Sequence, residues 1–69
     1  MDMRYDPSRT GVCVVRIEEQ GSGVLITLRT NADIGQVSME RTLVVADVEV
    51  AVQAVWEFLV AFAARSQDV

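Results

Sequence analysis

The side chains able to do chemistry in this sequence are arginines, carboxylates and a single cysteine, because none of its 69 residues is a histidine. Imidazole is the commonest general base and the commonest metal ligand in proteins, so both roles lack their usual residue here. Cys13 stands among valines without a base to activate its thiol, and we expect a small buried hydrophobic side chain. The sequence therefore predicts no catalytic residue, no metal site and no cofactor.

The carboxylates do not form an acid–base pair either. Glu18 and Glu19 are neighbours in a predicted strand, where adjacent side chains point to opposite faces. Glu49 and Glu57 fall on the solvated side of a predicted helix. We expect these residues to favour solubility and the start of the helix, and we predict that the protein is not an enzyme.

Arginine is the remaining candidate for binding chemistry. All six basic residues are arginines, they are scattered along the chain, and the net charge is -4. Nucleic-acid binding requires clustered positive charge, so this composition argues against it. A guanidinium group nevertheless binds a carboxylate or phosphate through two hydrogen bonds. An alternative function is therefore a ligand-binding or enzymatic subunit whose anion pocket forms between subunits, with the candidate anion contacts Arg16, Arg29 and Arg41.

The element that organises the chain is an amphipathic helix, predicted over residues 47–65. Asp47 occupies the N-cap position and Glu49 lies in the first turn, where a side-chain acceptor and negative charge stabilise the free N–H groups. Arg65 complements the opposite pole of the helix dipole. A helical wheel gives a core stripe made of Val48, Ala51, Val55, Phe58, Leu59 and Phe62.

A second apolar line runs along the helix between this core stripe and the polar arc, which spans about a quarter of the wheel. A single covering sheet would leave the line partly exposed. Its one aromatic residue, Trp56, is of a type enriched in interfaces; the alternative is that Trp56 folds over the edge of its own sheet. The predicted interface residues on the helix are Val52, Trp56, Val60 and Ala63.

Two strands joined by a tight turn precede the helix. Residues 11–19 and 24–30 are rich in β-branched side chains, and Gly21 with Ser22 suits a two-residue turn whose first position has a positive φ. Such a turn stacks apolar residues of both strands on one face. The pairs predicted there are Ile17 with Ile26, Val15 with Leu28, and Cys13 with Thr30. The predicted interface residues on the other, outer face are Val12, Val14 and Leu25.

A third strand is predicted over residues 37–45, antiparallel to the second because the connecting loop is too short for a crossover. Its inward face has two interpretations. Either the odd positions point inward and Arg41 lies near the sheet edge with its head in water, or a bulge near Glu40 breaks the alternation. The sequence leaves this choice open.

These elements are expected to form one domain. Residues 1–10 are predicted to be a flexible N-terminal lead-in, and residues 11–66 a single β-β-β-α domain. Its class is α+β: a three-stranded antiparallel meander followed by one C-terminal helix packed on one face, in two layers. Because no signal-peptide or membrane-span pattern is visible and the single cysteine forms no internal disulfide, we expect a cytoplasmic protein without membrane contacts.

The small size of the domain indicates that it self-associates. A chain of 69 residues buries about 60% of the surface that its unfolded form exposes, so we expect an addition to its core. Oligomerisation supplies one, most often as a closed dimer. We therefore predict a small non-catalytic protein–protein interaction or regulatory module, such as an adaptor, that self-associates as a homodimer and has a second protein as a further candidate partner.

Overall fold

The fold consists of three strands followed by one long helix. The structure is a computed structural model that describes residues 9–67 and the side chains of residues 9–65. Its elements in chain order are β1 (Val12–Gln20), β2 (Gly23–Asn31), a 3-10 turn (Val37–Met39), β3 (Glu40–Val45) and α1 (Val48–Gln67). The predicted α+β class and the β-β-β-α order are confirmed.

β1 and β2 form a hairpin with the predicted register. Gly21 has a φ of 57° and is the one residue in the described part of the chain with a positive φ, so the turn has a positive φ at its first central position alone. This is the geometry of a type II′ turn, which favours glycine because glycine has no Cβ. The opposed pairs include Ile17 with Ile26, Val15 with Leu28, and Cys13 with Thr30.

β3 pairs with the other side of β2, which makes β2 the central strand of the sheet. Leu43 lies opposite Leu28, and Val45 lies opposite Ile26. Because opposed residues of antiparallel strands share a face, the odd-numbered residues of β3 point toward the helix.

Arg41 lies on the same face at the far end of β3, opposite Thr30. Its side chain is exposed and donates hydrogen bonds to the carbonyl oxygens of Ser38 (3.3 Å) and Glu40 (3.2 Å). Strand pairing continues without interruption from Glu40 to Val45. The interpretation with Arg41 near the sheet edge is therefore correct, and the bulge is wrong.

The third strand is shorter than predicted, because residues 37–39 form a 3-10 turn. The Gln36 N–H donates to the Asp33 carbonyl (2.8 Å), and the Met39 N–H donates to the Gln36 carbonyl (3.0 Å). β2 ends at Asn31, so residues 37–39 have no strand opposite them. Local turn hydrogen bonds take the place of the missing ladder.

α1 begins where the sequence predicts it. The Asp47 carboxylate accepts hydrogen bonds from the N–H groups of Glu49 (2.7 Å) and Val50 (3.2 Å). It therefore satisfies two of the four N–H groups that a helix leaves free at its start. Arg65 lies in the last turn, and the helix extends slightly past it to Gln67.

The core lies where α1 crosses β2. Its buried apolar residues, within the described part of the chain, are Ile26, Leu28 and Ala51. The half-buried residues packed against them are Val24, Val45, Ala54 and Val55.

Two members of the predicted core stripe are wrong, since Val48 and Leu59 are each 57% exposed. Val48 is the first residue of α1. Leu59 lies on the flank of α1 nearest β1, and the helix leaves that strand uncovered.

The segment before β1 is fixed to the C-terminal half of the helix. The Arg9 guanidinium lies 4.0 Å from the centre of the Phe62 ring and donates a hydrogen bond to the Phe62 carbonyl oxygen (2.9 Å). The Thr10 carbonyl accepts a hydrogen bond from the Ile34 N–H (2.9 Å). Most of the predicted lead-in, residues 1–8, lies outside the described residues, whereas Arg9 and Thr10 contact the domain.

Gly11 provides a test of this packing. A Cβ at position 11 would lie 2.8 Å from Cε2 of Phe62 and 3.3 Å from the Asn31 carbonyl oxygen. We expect Gly11→Ala to lower the free energy of unfolding in urea by about 1–3 kcal/mol, the usual cost of overpacking. Gly23→Ala is the matched control and should leave stability nearly unchanged, because nothing lies within 4 Å of its Cβ position. Equal stability of the two variants would contradict the packing of residues 9–11 on Phe62.

Candidate functional site

The helix is too narrow for the sheet, and part of the sheet is left uncovered. A helix with its side chains is about 10 Å across, and neighbouring strands are about 4.8 Å apart, so one helix covers about two strands. The principal contacts of α1 are with β2 and β3. The helix-facing side of β1 is therefore largely without cover.

An apolar groove, here called the β1 groove, lies between β1 and α1. It has a volume of ≈ 370 Å³, and every side chain that lines it is apolar. Its lining residues are Val15, Leu28, Ala51, Val52, Val55, Trp56 and Leu59. The large side chains at its rim are more than half exposed, as is Ile17 on the same face of β1. The exposed fractions are 54% for Val15, 59% for Ile17, 61% for Val52, 58% for Trp56 and 57% for Leu59.

β1 is also an edge strand of the sheet. Gln20 and Gly23 close the two-residue turn, and in such hairpins the closing pair is hydrogen-bonded. Along an antiparallel ladder, hydrogen-bonded pairs alternate with non-hydrogen-bonded pairs. Even-numbered residues of β1 therefore direct their N–H and C=O groups toward β2. Cys13, Val15 and Ile17 direct theirs toward the open edge, where no other strand of the described chain pairs with them. The same residues turn their side chains toward the helix.

The interface residues predicted on the helix are all exposed. Val52 and Trp56 lie in the β1 groove, and Val60 and Ala63 continue along the same flank of α1. Trp56 keeps more than half of its surface exposed, so its own sheet does not bury it. The helix flank and the helix-facing side of β1 thus form one apolar surface.

The interface residues predicted on the sheet lie on its other face. Val12 and Val14 are exposed and line a shallow pocket with Ile34, and Leu25 is half-buried. The sheet itself separates these residues from the helix flank. One contact cannot cover both predicted groups.

Sequence reasoning missed the groove residues Val15 and Leu59 and the neighbouring Ile17, since it assigned all three to the core. Their apolar periodicity is correct, because all three point between sheet and helix. The widths of a helix and of three strands were the available signal that one of the three strands lies outside the helix's cover.

The three candidate anion contacts do not converge. Arg16 donates to the Glu18 carboxylate (2.7 Å) and Arg29 to the Glu40 carboxylate (2.7 Å), both on the outer face of the sheet. Arg41 lies on the opposite face. Two of the three guanidinium groups are thus bound to carboxylates of their own chain.

The remaining reactive side chains are dispersed. Cys13 is free and half-buried. Across residues 9–67, no group of three or more Cys, Asp or Glu side chains is placed to hold a metal ion. The helix described here is not long and apolar enough to cross a membrane.

The Arg29–Glu40 ion pair is exposed, and its contribution to stability is measurable. Exposed ion pairs typically contribute about 0–1 kcal/mol. We therefore expect Arg29→Gln to change the free energy of unfolding by less than about 1 kcal/mol, and millimolar phosphate to leave the Tm of parent and variant unchanged. Thermal melts with and without phosphate measure both effects. A rise in Tm with phosphate in the parent but not in Arg29→Gln would instead establish Arg29 as an anion contact.

Comparison with known proteins provides no relative for this chain. No protein-family model, no curated protein and no solved structure matches it.

Proposed function

We propose that this chain is a small non-catalytic protein–protein interaction module, an adaptor or regulatory subunit, that works as a homodimer. The observation that carries the proposal is the β1 groove, where large apolar side chains are more than half exposed beside an open strand edge. Such a surface binds another protein through shape and apolar contact and requires no reacting group.

The exposed apolar surface is large for a monomer of this size. The four large rim residues of the groove and Ile17 beside them are between 54% and 61% exposed. With ordinary residue areas these fractions amount to about 500 Å² on one copy, near the upper end of what a monomer leaves bare. Two copies that cover each other would bury roughly 1,000 Å², the area at which specific interfaces begin. Contacts along the strand edge add to this area.

The small core of a single copy points the same way. Of the apolar residues described, Ile26, Leu28 and Ala51 alone are buried. Domains of this size commonly gain stability through oligomerisation. Covering the groove would bury Val15 and Leu59 next to this core. Self-association therefore extends the core and removes the exposed surface in one step.

The ligand-binding alternative has less support. Arg16 and Arg29 are bound to carboxylates of their own chain, and the β1 groove has no polar side chain in its lining. A groove of this composition selects apolar side chains over anions.

The proposal also includes a cytoplasmic location and a second protein partner. The single cysteine cannot form an internal disulfide, so nothing indicates a disulfide-stapled secreted scaffold. In a dimer closed through the groove, the outer face of the sheet with Val12 and Val14 stays accessible to another protein.

The experiment is a measurement of solution mass by light scattering behind a sizing column, over about a hundredfold range of protein concentration. We expect the parent to show a mass near twice 7.6 kDa at the higher concentrations. We expect Trp56→Gln to raise the dissociation constant by about thirtyfold or more, the effect of removing an interface hot spot. Its circular dichroism should match the parent, because Trp56 is exposed within one copy.

Val37→Gln is the matched control, since Val37 is an apolar residue outside the groove that is 82% exposed. It should leave the dissociation constant unchanged. Val52→Gln tests the groove a second time with Trp56 intact, and glutamine is the better helix former. A parent that stays monomeric throughout, or groove variants that associate as tightly as Val37→Gln, would overturn the proposal.

A further inference from the structure

We infer that the second copy docks through β1, strand against strand. The two-fold axis passes between the two copies of Val15, and we call this an axis at Val15. The inference rests on the proposed homodimer and specifies its geometry. The three strands of each copy join into one continuous antiparallel sheet, with both helices on the same face. Val15 of one copy then lies opposite Val15 of the other.

The open edge of β1 is the first reason. β1 has nine residues, is rich in valine and carries no proline, whereas the other edge strand, β3, has six residues. Long exposed edges of this kind are templates for strand addition, and natural proteins usually block them. The Arg16–Glu18 ion pair does not block this edge, because both side chains stand on the outer face.

The β1 groove is the second reason. Cys13, Val15 and Ile17 direct their backbone N–H and C=O groups toward the open edge and their side chains toward the helix-facing side, where Val15 lines the groove. An occupant must therefore supply both a strand and an apolar face. A second copy of β1 supplies both, and a two-fold axis makes the exchange reciprocal. Pairing about Val15 would form about six main-chain hydrogen bonds, two for each hydrogen-bonded pair.

Side-chain chemistry fixes the position of the axis. Opposed residues share a face, so the two-fold axis must set one residue of β1 opposite its own copy. The candidates near the middle of β1 are Val14, Val15 and Arg16. An axis at Arg16 places two arginines directly opposite each other and sets Glu19 against Cys13 on the apolar face. Like charges in opposed positions are destabilising.

The other two positions differ in overlap. An axis at Val14 shortens the paired stretch to residues 12–16 and leaves Ile17 opposite Gly11. An axis at Val15 pairs residues 12–18 and sets Ile17 opposite Cys13, so the helix-facing pairs are apolar throughout. On the outer face, Val14 then lies opposite Arg16. The axis at Val15 combines apolar matching with separation of the arginines.

Trp56 has a defined place in this arrangement. With strands about 4.8 Å apart, the two β2 strands lie about 14 Å from each other across the paired β1 strands. The helices above them are then farther apart than the 8–10 Å of helices in direct contact. Large side chains must fill the trough between them. Trp56 and Leu59 project from each helix into this trough.

Cysteine cross-linking tests the axis. In a Cys13→Ala background, Val14→Cys and Arg16→Cys are prepared alone and co-expressed, and each sample is oxidised and analysed on a non-reducing gel. An axis at Val15 makes position 14 of one copy and position 16 of the other a non-hydrogen-bonded pair, with Cα atoms about 4.5 Å apart, within disulfide range. We expect a disulfide-linked dimer from the co-expressed pair alone, at up to about half of the dimers if the two variants pair at random.

Each other outcome contradicts the inference. Cross-linking of Val14→Cys alone would move the axis to Val14, and cross-linking of Arg16→Cys alone would move it to Arg16. Cross-linking no stronger than that of Val37→Cys, a control for random collision at an exposed site, would exclude β1 pairing. The masses of the native chain and of the Cys13→Ala parent separate the two proposals: a Cys13→Ala dimer without the cross-link overturns this inference alone, and a monomeric native chain overturns the proposed function as well.

Discussion

The structure depends on a mismatch of widths, since one helix lies on a sheet of three strands. A helix about 10 Å across covers about two strands, and the apolar residues of the third strand stay in contact with water. α1 packs on β2 and β3 and leaves β1 open, so the core of one copy is small and an apolar groove runs beside it. This geometry is the basis of our proposal that a further protein surface covers the groove.

The hairpin turn determines what the uncovered strand presents. Because Gly21 allows a two-residue turn, the ladder begins at Gln20 and Gly23, and this fixes the direction of every backbone group in β1. The residues whose side chains face the groove are the ones whose N–H and C=O groups face the open edge. A single strand therefore combines apolar contact with main-chain hydrogen bonding, which are the two components of strand addition.

Local signals predicted most of the fold, and non-local ones explain the errors. The turn, the register of β1 and β2 and the Asp47 cap each depend on residues close in sequence, and all three are confirmed. The predicted start of β3 at residue 37 was wrong, because the first paired residue of β3 depends on where β2 ends. Leu59 was wrongly assigned to the core because a helical wheel shows which residues are apolar but not how much sheet lies beneath them. The exposure of Trp56 was anticipated, since the wheel placed it beside the core stripe.

Residue-resolved amide hydrogen exchange tests the central claim, that a second protein surface covers the edge and groove of β1. If it does, the Val15 and Ile17 amides of the parent protein should exchange slowly, with protection close to that of β2. The internal reference is the other edge of the sheet, where by the same alternation the Thr42 and Val44 amides of β3 point outward and should exchange quickly. Fast exchange at Val15 and Ile17, equal to that at Thr42 and Val44, would contradict the account.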